Sequence, residues 1–218
     1  MAHEHDHEHE HDHEHEHEHD HEHAHDHEHD HEHDEEAEER HRENEREYVR
    51  RQALAQIRQY PDVALKMRAR EVTEFDQFLI QLVERMADLM HDAQGVGLAA
   101  TQLGVLQRVF VFAPEDEPLR AVVNPRLTID EEAEKETEEE GCLSLREVRV
   151  PVERATKVVV EGKDPNGDDV RYELEGLAAR VVQHETDHLD GVLTIDRTDP
   201  DSRKQALARL RPQPTFVG

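Results

Sequence analysis

Cysteine is nearly absent from this 218-residue chain: Cys142 is the only one. One thiol cannot close an internal disulfide, so a reducing, cytoplasmic setting is expected. Long apolar runs are missing too. No stretch approaches 18 apolar residues, so no membrane-spanning helix is expected. The N-terminus has no basic segment followed by an apolar one, so it does not read as a secretory signal. Basic charge is scarce: 26 Lys and Arg stand against 54 Asp and Glu, for a formal net charge of −28. Broad binding to nucleic-acid phosphates needs clustered Lys and Arg, and is not expected here. No repeat of 20–50 residues is visible.

What is abundant is histidine and acid at one end. Residues 1–39 hold nineteen acids, sixteen of the twenty His, and no Lys or Arg. His fills every odd position from His3 to His33. An extended backbone would put the imidazoles on one face and the acids on the other, with no apolar face to bury. Dense like charge therefore predicts a disordered acidic His-rich tail over 1–42. Such clusters offer ligands to Ni²⁺, Zn²⁺, Cu²⁺ or Fe²⁺. A flexible chain must order itself around each ion, at roughly 1–2 kcal/mol per residue fixed. Metal buffering by the tail would thus be multiple, modest and interchangeable. The competing reading is a solvated acidic tail.

The remainder, 40–218, carries a formal charge of −9 and is long enough for one domain with a real core. A helical extension is expected over 43–59, with its helix from Glu43 to Arg58, broken at "QYPDVAL" because Pro61 disfavours helix at Tyr60. Residues 60–218 then form the main domain. In it, "VTEFDQFLIQLVERMADLMHDAQG" places Phe75, Phe78, Leu79, Leu82, Val83, Met86, Leu89 and Met90 at spacings of three and four, which predicts an amphipathic helix. Thr73 or a neighbour caps its start, Gly95 ends it, and His91 sits near its C-terminus, where the helix dipole favours it. "RVFVF" reads as a buried strand and "LRAVVNPRLTI" as two short strands around Asn124-Pro125. The run "ETEEE" reads as a surface loop. "EVRVPVERATKVVVEGKDPNGDDVRYELEG" holds more strands, with a hairpin at Asn166-Gly167. "GLAARVVQHETDHLDG" returns to helical period, and "DPDSRKQALARLRP" is a last helix stopped by Pro212. The expected class is α+β, with antiparallel or mixed β-sheets around a central metal-binding helix.

That central helix carries His184-Glu185-Thr186-Asp187-His188. Residues i and i+4 share a helical face, so two imidazoles can hold one ion with Glu185 beside it as a base. Leu177, Val181, Val182 and Leu189 supply an apolar stripe to bury this helix. A catalytic site of this kind needs a third protein ligand. Thr194 stands where one familiar pattern has His, and no Glu or His follows His188. Asp190, Asp196, Asp199 and Asp201 remain open downstream, and Cys142 upstream. A thiolate suits Zn²⁺ and Fe²⁺.

Three segments together resemble the peptide deformylases, in that family's order. They are "GVGLAATQLG" (Gly95 to Gly104), "EGCLSL" (Glu140 to Leu145) and "QHETDHLDG" (Gln183 to Gly191). The likeness extends from Tyr60 to Arg197, through "YPDVALKMRAREV", "VVNPRL" and "GLAARVVQHE". Thr101 departs from it, standing where the family often has Pro, and the tail and the helix before Tyr60 lie outside it.

The resemblance implies a metal-dependent amide hydrolase. It would remove the formyl group from the N-terminal formylmethionine of nascent polypeptides and release formate. It further implies Cys142, His184 and His188 as metal ligands, with Fe²⁺ as the ion, one per chain, and Ni²⁺, Co²⁺ or Zn²⁺ as substitutes. Glu185 would move the proton, while the Gln102 side chain and the Leu143 N–H would receive the oxyanion. Gly95 and Gly97 would let a backbone approach the substrate, with Gly97 as partner of its amide. Val96, Leu177 and Val181 would line the methionine pocket, and Glu140 would tie the cysteine loop to the pocket wall. Ordinary core packing is the competing reading for the three apolar residues. Arg180 and Asp187 fall within the matched motifs without an assigned role. Expected partners are formylmethionyl nascent peptides and the ribosome, for which "RKQALARLR" is a short candidate contact, equally suited to packing on the core. A monomer is expected. Two other readings stand beside this one: another H-E-x-x-H hydrolase such as a peptidase, and a metal-buffering protein acting through its tail.

Overall fold

The computed structural model describes residues 28–114, 118–130 and 132–211, with side chains from 37 onward. The chain divides into two units, Met1–His41 and Arg42–Gly218. In the first unit the described residues are the leading turns of helix α1, Glu28–Gln56. The helix therefore begins well before Glu43, and 28–42 is helical where a disordered tail was expected. Arg and Glu three and four apart, such as Glu47 with Arg50 and Arg51, are consistent with helix in this charged sequence. The expectation for 1–27 lies outside the described residues.

In the second unit, Ala53 of α1 and Ile57 just after it are buried in one cluster with helix α2, Gln77–Asp92. Asp76, rather than Thr73, caps α2 by accepting from the Leu79 N–H at 3.1 Å. The buried stripe is Leu79, Leu82, Met86, Leu89 and Met90, whereas Phe78 faces outward. The end of α2 is a Schellman motif: Gly95 N–H donates to the Met90 carbonyl and Gln94 N–H to that of His91. The left-handed position (φ +58°) belongs to Gln94, one residue before the expected Gly95.

Among the described residues seven strands follow. They are β1 (Gly97–Ala99), β2 (Val109–Phe112), β3 (Arg120–Thr128), β4 (Lys135–Cys142), β5 (Leu145–Ala155), β6 (Lys157–Lys163) and β7 (Asp169–Glu175). A five-stranded sheet has the order β1-β2-β3-β6-β7, and β4 with β5 makes a second sheet. The pairings of these seven strands are all antiparallel, and an isolated bridge between Arg70 and Gln107 is parallel. The hairpin at Asn166-Gly167 is present, joining Lys163 to Asp169 across a turn in which Gly167 has φ +94°. β3 is one strand with an irregularity between Val123 and Arg126, not two strands. The acidic run expected as a loop lies in β4, because "VRVPVERA" in β5 supplies it with a complete partner strand.

Helix α3, Gly176–Leu189, packs Ala179, Val181, Val182 and Leu189 onto Phe110, Phe112, Val122 and Val160 of the large sheet. Gln183 fixes it to the end of β5, donating to the Ala155 carbonyl at 2.8 Å and accepting from the Ala155 N–H at 3.2 Å. A short helix, α4 (Thr194–Arg197), leads to α5 (Pro200–Leu210), capped by Asp199. α5 lays Ala206, Leu207 and Leu210 against the core beside β5. That is the packing on the core for which "RKQALARLR" was equally suited. No helix among the described residues is long and apolar enough to cross a membrane.

Candidate active site

The two sheets and α3 bring the chemistry-bearing residues together. Cys142 ends β4, just before a two-residue turn into β5, while His184 and His188 lie one turn apart on α3. One ligand atom from each converges, all within 4.8 Å of one another. Cys142 Sγ is 3.2 Å from His188 Nε2, and the two imidazoles stand edge to face with centroids 5.0 Å apart. His188 is 1 % exposed. A thiolate and two imidazoles at this spacing fit a tetrahedral divalent ion with a fourth position left over. Of the open third ligands, Cys142 joins the two imidazoles and none of the four downstream aspartates does: Asp190 pairs with Arg108, Asp196 with Lys66, and Asp199 and Asp201 sit at the start of α5.

A buried ion network orients this cluster. Glu140, in β4, accepts two hydrogen bonds from Arg154, at 2.9 and 3.1 Å, and one from Arg180 at 2.8 Å. Its Oε2 also lies 3.1 Å from His184 Nδ1, which leaves Nε2 of that ring for the ion. Burial would raise the Glu140 carboxyl, but His184 and Arg154 outweigh it and hold it down at about 2. Arg154 further donates to Asp187 of α3 at 2.6 Å, and Arg197 grips the same carboxylate. Arg180 also reaches the carbonyls of Val152 and Glu136. Arg180 and Asp187 thus join β4, β5 and α3. Arg154 went unread in the sequence, although its inward phase in β5, after Val148, Val150 and Val152, was a usable signal.

Glu185 is 3 % exposed and its Oε2 has no hydrogen-bond partner among the described residues. Burial lifts its carboxyl to about 7. Burial would lower His184, but its hydrogen bonds to Cys142 and Glu140 raise it, whereas burial and the neighbouring His184 lower His188. Gln102 lies in a 3₁₀ turn after β1. It accepts from the Ala99 N–H at 2.9 Å and turns its Nε2 toward Ser144 Oγ (3.1 Å) and Cys142 Sγ (3.8 Å).

A cavity of about 560 Å³ opens onto this group. It is lined by Gly95, Val96, Gly97, Gln102, Glu140, Cys142, Leu143, Leu177, Val181, His184 and Glu185. His188 alone of the twelve residues singled out is absent from its wall. Leu177 and Val96 are 48 % and 37 % exposed, so they stand at the mouth of the cavity. Leu177 therefore does not belong to the stripe that buries α3. Val181 is buried, and Gly97 presses so close to Glu185 and Val181 that a side chain would not fit.

An α+β scaffold that gathers a thiolate, two imidazoles and an unpaired carboxyl beside one cavity defines the class of metal-dependent hydrolases. The comparisons narrow the class. The family model described as "Polypeptide deformylase" matches residues 54–204. A peptide deformylase of Thermotoga maritima is 47 % identical over 148 residues, covering 68 % of this chain and 89 % of the relative. Peptide deformylase 1 of Corynebacterium glutamicum is 45 % identical over 170 residues, covering 75 % and 98 %. The crystal structure of a peptide deformylase from Legionella pneumophila is similar at 38 % identity with a TM-score of 0.67, covering 71 % of this chain and 91 % of that one. The chain belongs to the peptide deformylase family, metal-dependent hydrolases that remove formyl groups.

Proposed function

We propose that the protein hydrolyses the formyl group of N-formylmethionyl nascent chains in the cytoplasm, with Fe²⁺ held by Cys142, His184 and His188. The observation that carries this reading is the convergence of those three ligand atoms beside Glu185 and Gln102 at one cavity. A soft thiolate with two imidazoles suits Fe²⁺, and accepts Ni²⁺, Co²⁺ or Zn²⁺ in its place. When bound, the ion supplies Lewis acidity that makes hydroxide available near neutral pH.

The chain's own residues do the rest. Among the described residues β1 is an edge strand paired with β2 alone, so the peptide substrate can lie along it with its amide on the Gly97 backbone. Val181 forms the buried wall of the methionine pocket, with Val96 and Leu177 at its mouth. Glu185 takes the proton of the attacking water and delivers it to the leaving amine nitrogen. Gln102 Nε2 and the Leu143 N–H donate to the formyl oxygen as it gains charge. Glu140 keeps the His184 ring in orientation, and Arg154 keeps Glu140.

The test is formate release from a formylmethionyl peptide, set against cleavage of the unformylated peptide, on anaerobically purified Fe²⁺ or Ni²⁺ protein. Glu185→Ala is expected to lower turnover by about 100-fold or more while one ion per chain stays bound. Peptide-bond cleavage without formate would instead favour a peptidase.

A further inference from the structure

We infer that Gln59 is a positioning residue for the oxyanion side of the site, acting through Leu143; this rests on the deformylase reading above. Three consecutive residues after α1 each donate one hydrogen bond to a residue of the site. Arg58 N–H donates to the Gln102 carbonyl at 2.7 Å, and Tyr60 N–H to the Ser144 carbonyl at 3.0 Å. Between them, Gln59 Nε2 donates to the Leu143 carbonyl at 2.9 Å, and also reaches the Ile57 carbonyl at 3.2 Å. The strap so formed grips both residues assigned to the oxyanion, Gln102 and Leu143. It also grips Ser144, whose Oγ accepts from Gln102 and whose N–H points at Cys142 Sγ from 3.4 Å.

Two of the three bonds come from backbone and survive most substitutions. Only the Gln59 bond depends on the side chain. Leu143 lies in the turn between β4 and β5, beyond the reach of the strand ladder, so its half-buried carbonyl takes its partner from a side chain 84 residues away. Leu143 is thereby held from both sides: through Cys142 before it, and by Gln59 at its own carbonyl. The strap itself is anchored, because Ile57 is buried with Leu82 and Met86, and Leu143 packs against the same cluster. A loosened donor weakens the interaction that grows in the transition state, while leaving ground-state binding in place.

The experiment uses the full chain loaded with Co²⁺, in the variants Gln59→Met and Gln59→Glu. Readouts are cobalt per chain, the visible spectrum of the thiolate-ligated cobalt, the melting temperature, and kcat and KM on a formylmethionyl tripeptide. We expect one ion per chain, KM within about twofold, and kcat lower by about tenfold, since a misplacement of about 1 Å can cost about 100-fold. Gln59→Glu should lose at least as much, because a carboxylate then faces the Leu143 carbonyl. Unchanged kcat per bound ion in both variants would overturn the inference. So would losses in kcat, KM and metal content that run in proportion, which mark a merely structural role. Should Gln59→Met fail to fold, the isosteric Gln59→Glu decides by the same measures. Should the unaltered chain release no formate, the deformylase reading fails and this inference falls with it; formate release by the unaltered chain with unchanged kcat in both variants overturns this inference alone.

Discussion

A β-carbon at residue 97 has nowhere to go. Built onto that backbone it collides with Glu185 Oε1 and lies 2.9 Å from Val181 Cγ1, and both neighbours are buried. Gly97→Ala must therefore move the carboxylate, the strand or both. The expected result is a drop of about 100-fold in kcat/KM for formate release, with one ion per chain retained, since Gly97 touches no proposed ligand. Formate and metal assays on the same preparation check it. Gly97, Gln102 and Cys142 were named as candidates through the family resemblance, and His184, Glu185 and His188 through their helical spacing as well. Arg154 was not. Its role exists only after β4, β5 and α3 have met, and no local pattern names Glu140 and Asp187 as its partners. An arginine at the inward phase of a strand does, however, call for buried carboxylates, because an unpaired buried charge is too costly to keep.

At the scale of elements, periodicity located α2, α3, α5 and the β6–β7 hairpin, since each has a clean apolar phase or turn. It failed where pairing or capping decided the outcome. β4 has almost no apolar residues and is a strand because β5 lies beside it. β3 stays continuous through Asn124-Pro125 because Asn124 absorbs the irregularity at φ +52°. Its side chain locks that conformation, accepting from the Val72 N–H at 2.8 Å and donating to the Val72 carbonyl at 2.9 Å. Asn124→Ala loses both bonds, at about 1 kcal/mol each, and gains left-handed strain of about 1–2 kcal/mol. The variant should be less stable by about 3 kcal/mol in urea unfolding. Asn124→Gly should recover about 1 kcal/mol of that, since glycine adopts the conformation without strain.

For the whole molecule, the family match over 54–204 spans slightly more than the resemblance read from Tyr60 to Arg197. The edges were the least legible part, because their sequence is chosen by long-range docking and not by catalysis. Asp196 is such a docking point. Its carboxylate receives Lys66 from the 3₁₀ turn before α2, the Leu193 N–H at 2.9 Å and Arg203 of α5 at 3.2 Å. Burial alone would raise this carboxyl, but the Lys66 bond, the Leu193 N–H and the two positive charges outweigh it and lower it below its ordinary 3.8. The unfolded chain then binds the proton more tightly than the folded one. Asp196 consequently contributes its full stability above about pH 4 and loses it as pH falls through the depressed folded value. Asp196→Asn keeps the shape without the charge. It should be less stable by about 1 kcal/mol at pH 7, a modest figure because Lys66 is half-exposed. That deficit should shrink steadily as the pH is taken below 4, where the native carboxylate gains its proton. Urea midpoints of both chains from pH 7 to pH 3 test this. A gap that stays constant across the range would mean that the capping geometry of α4, and not the charge on Asp196, joins these three segments.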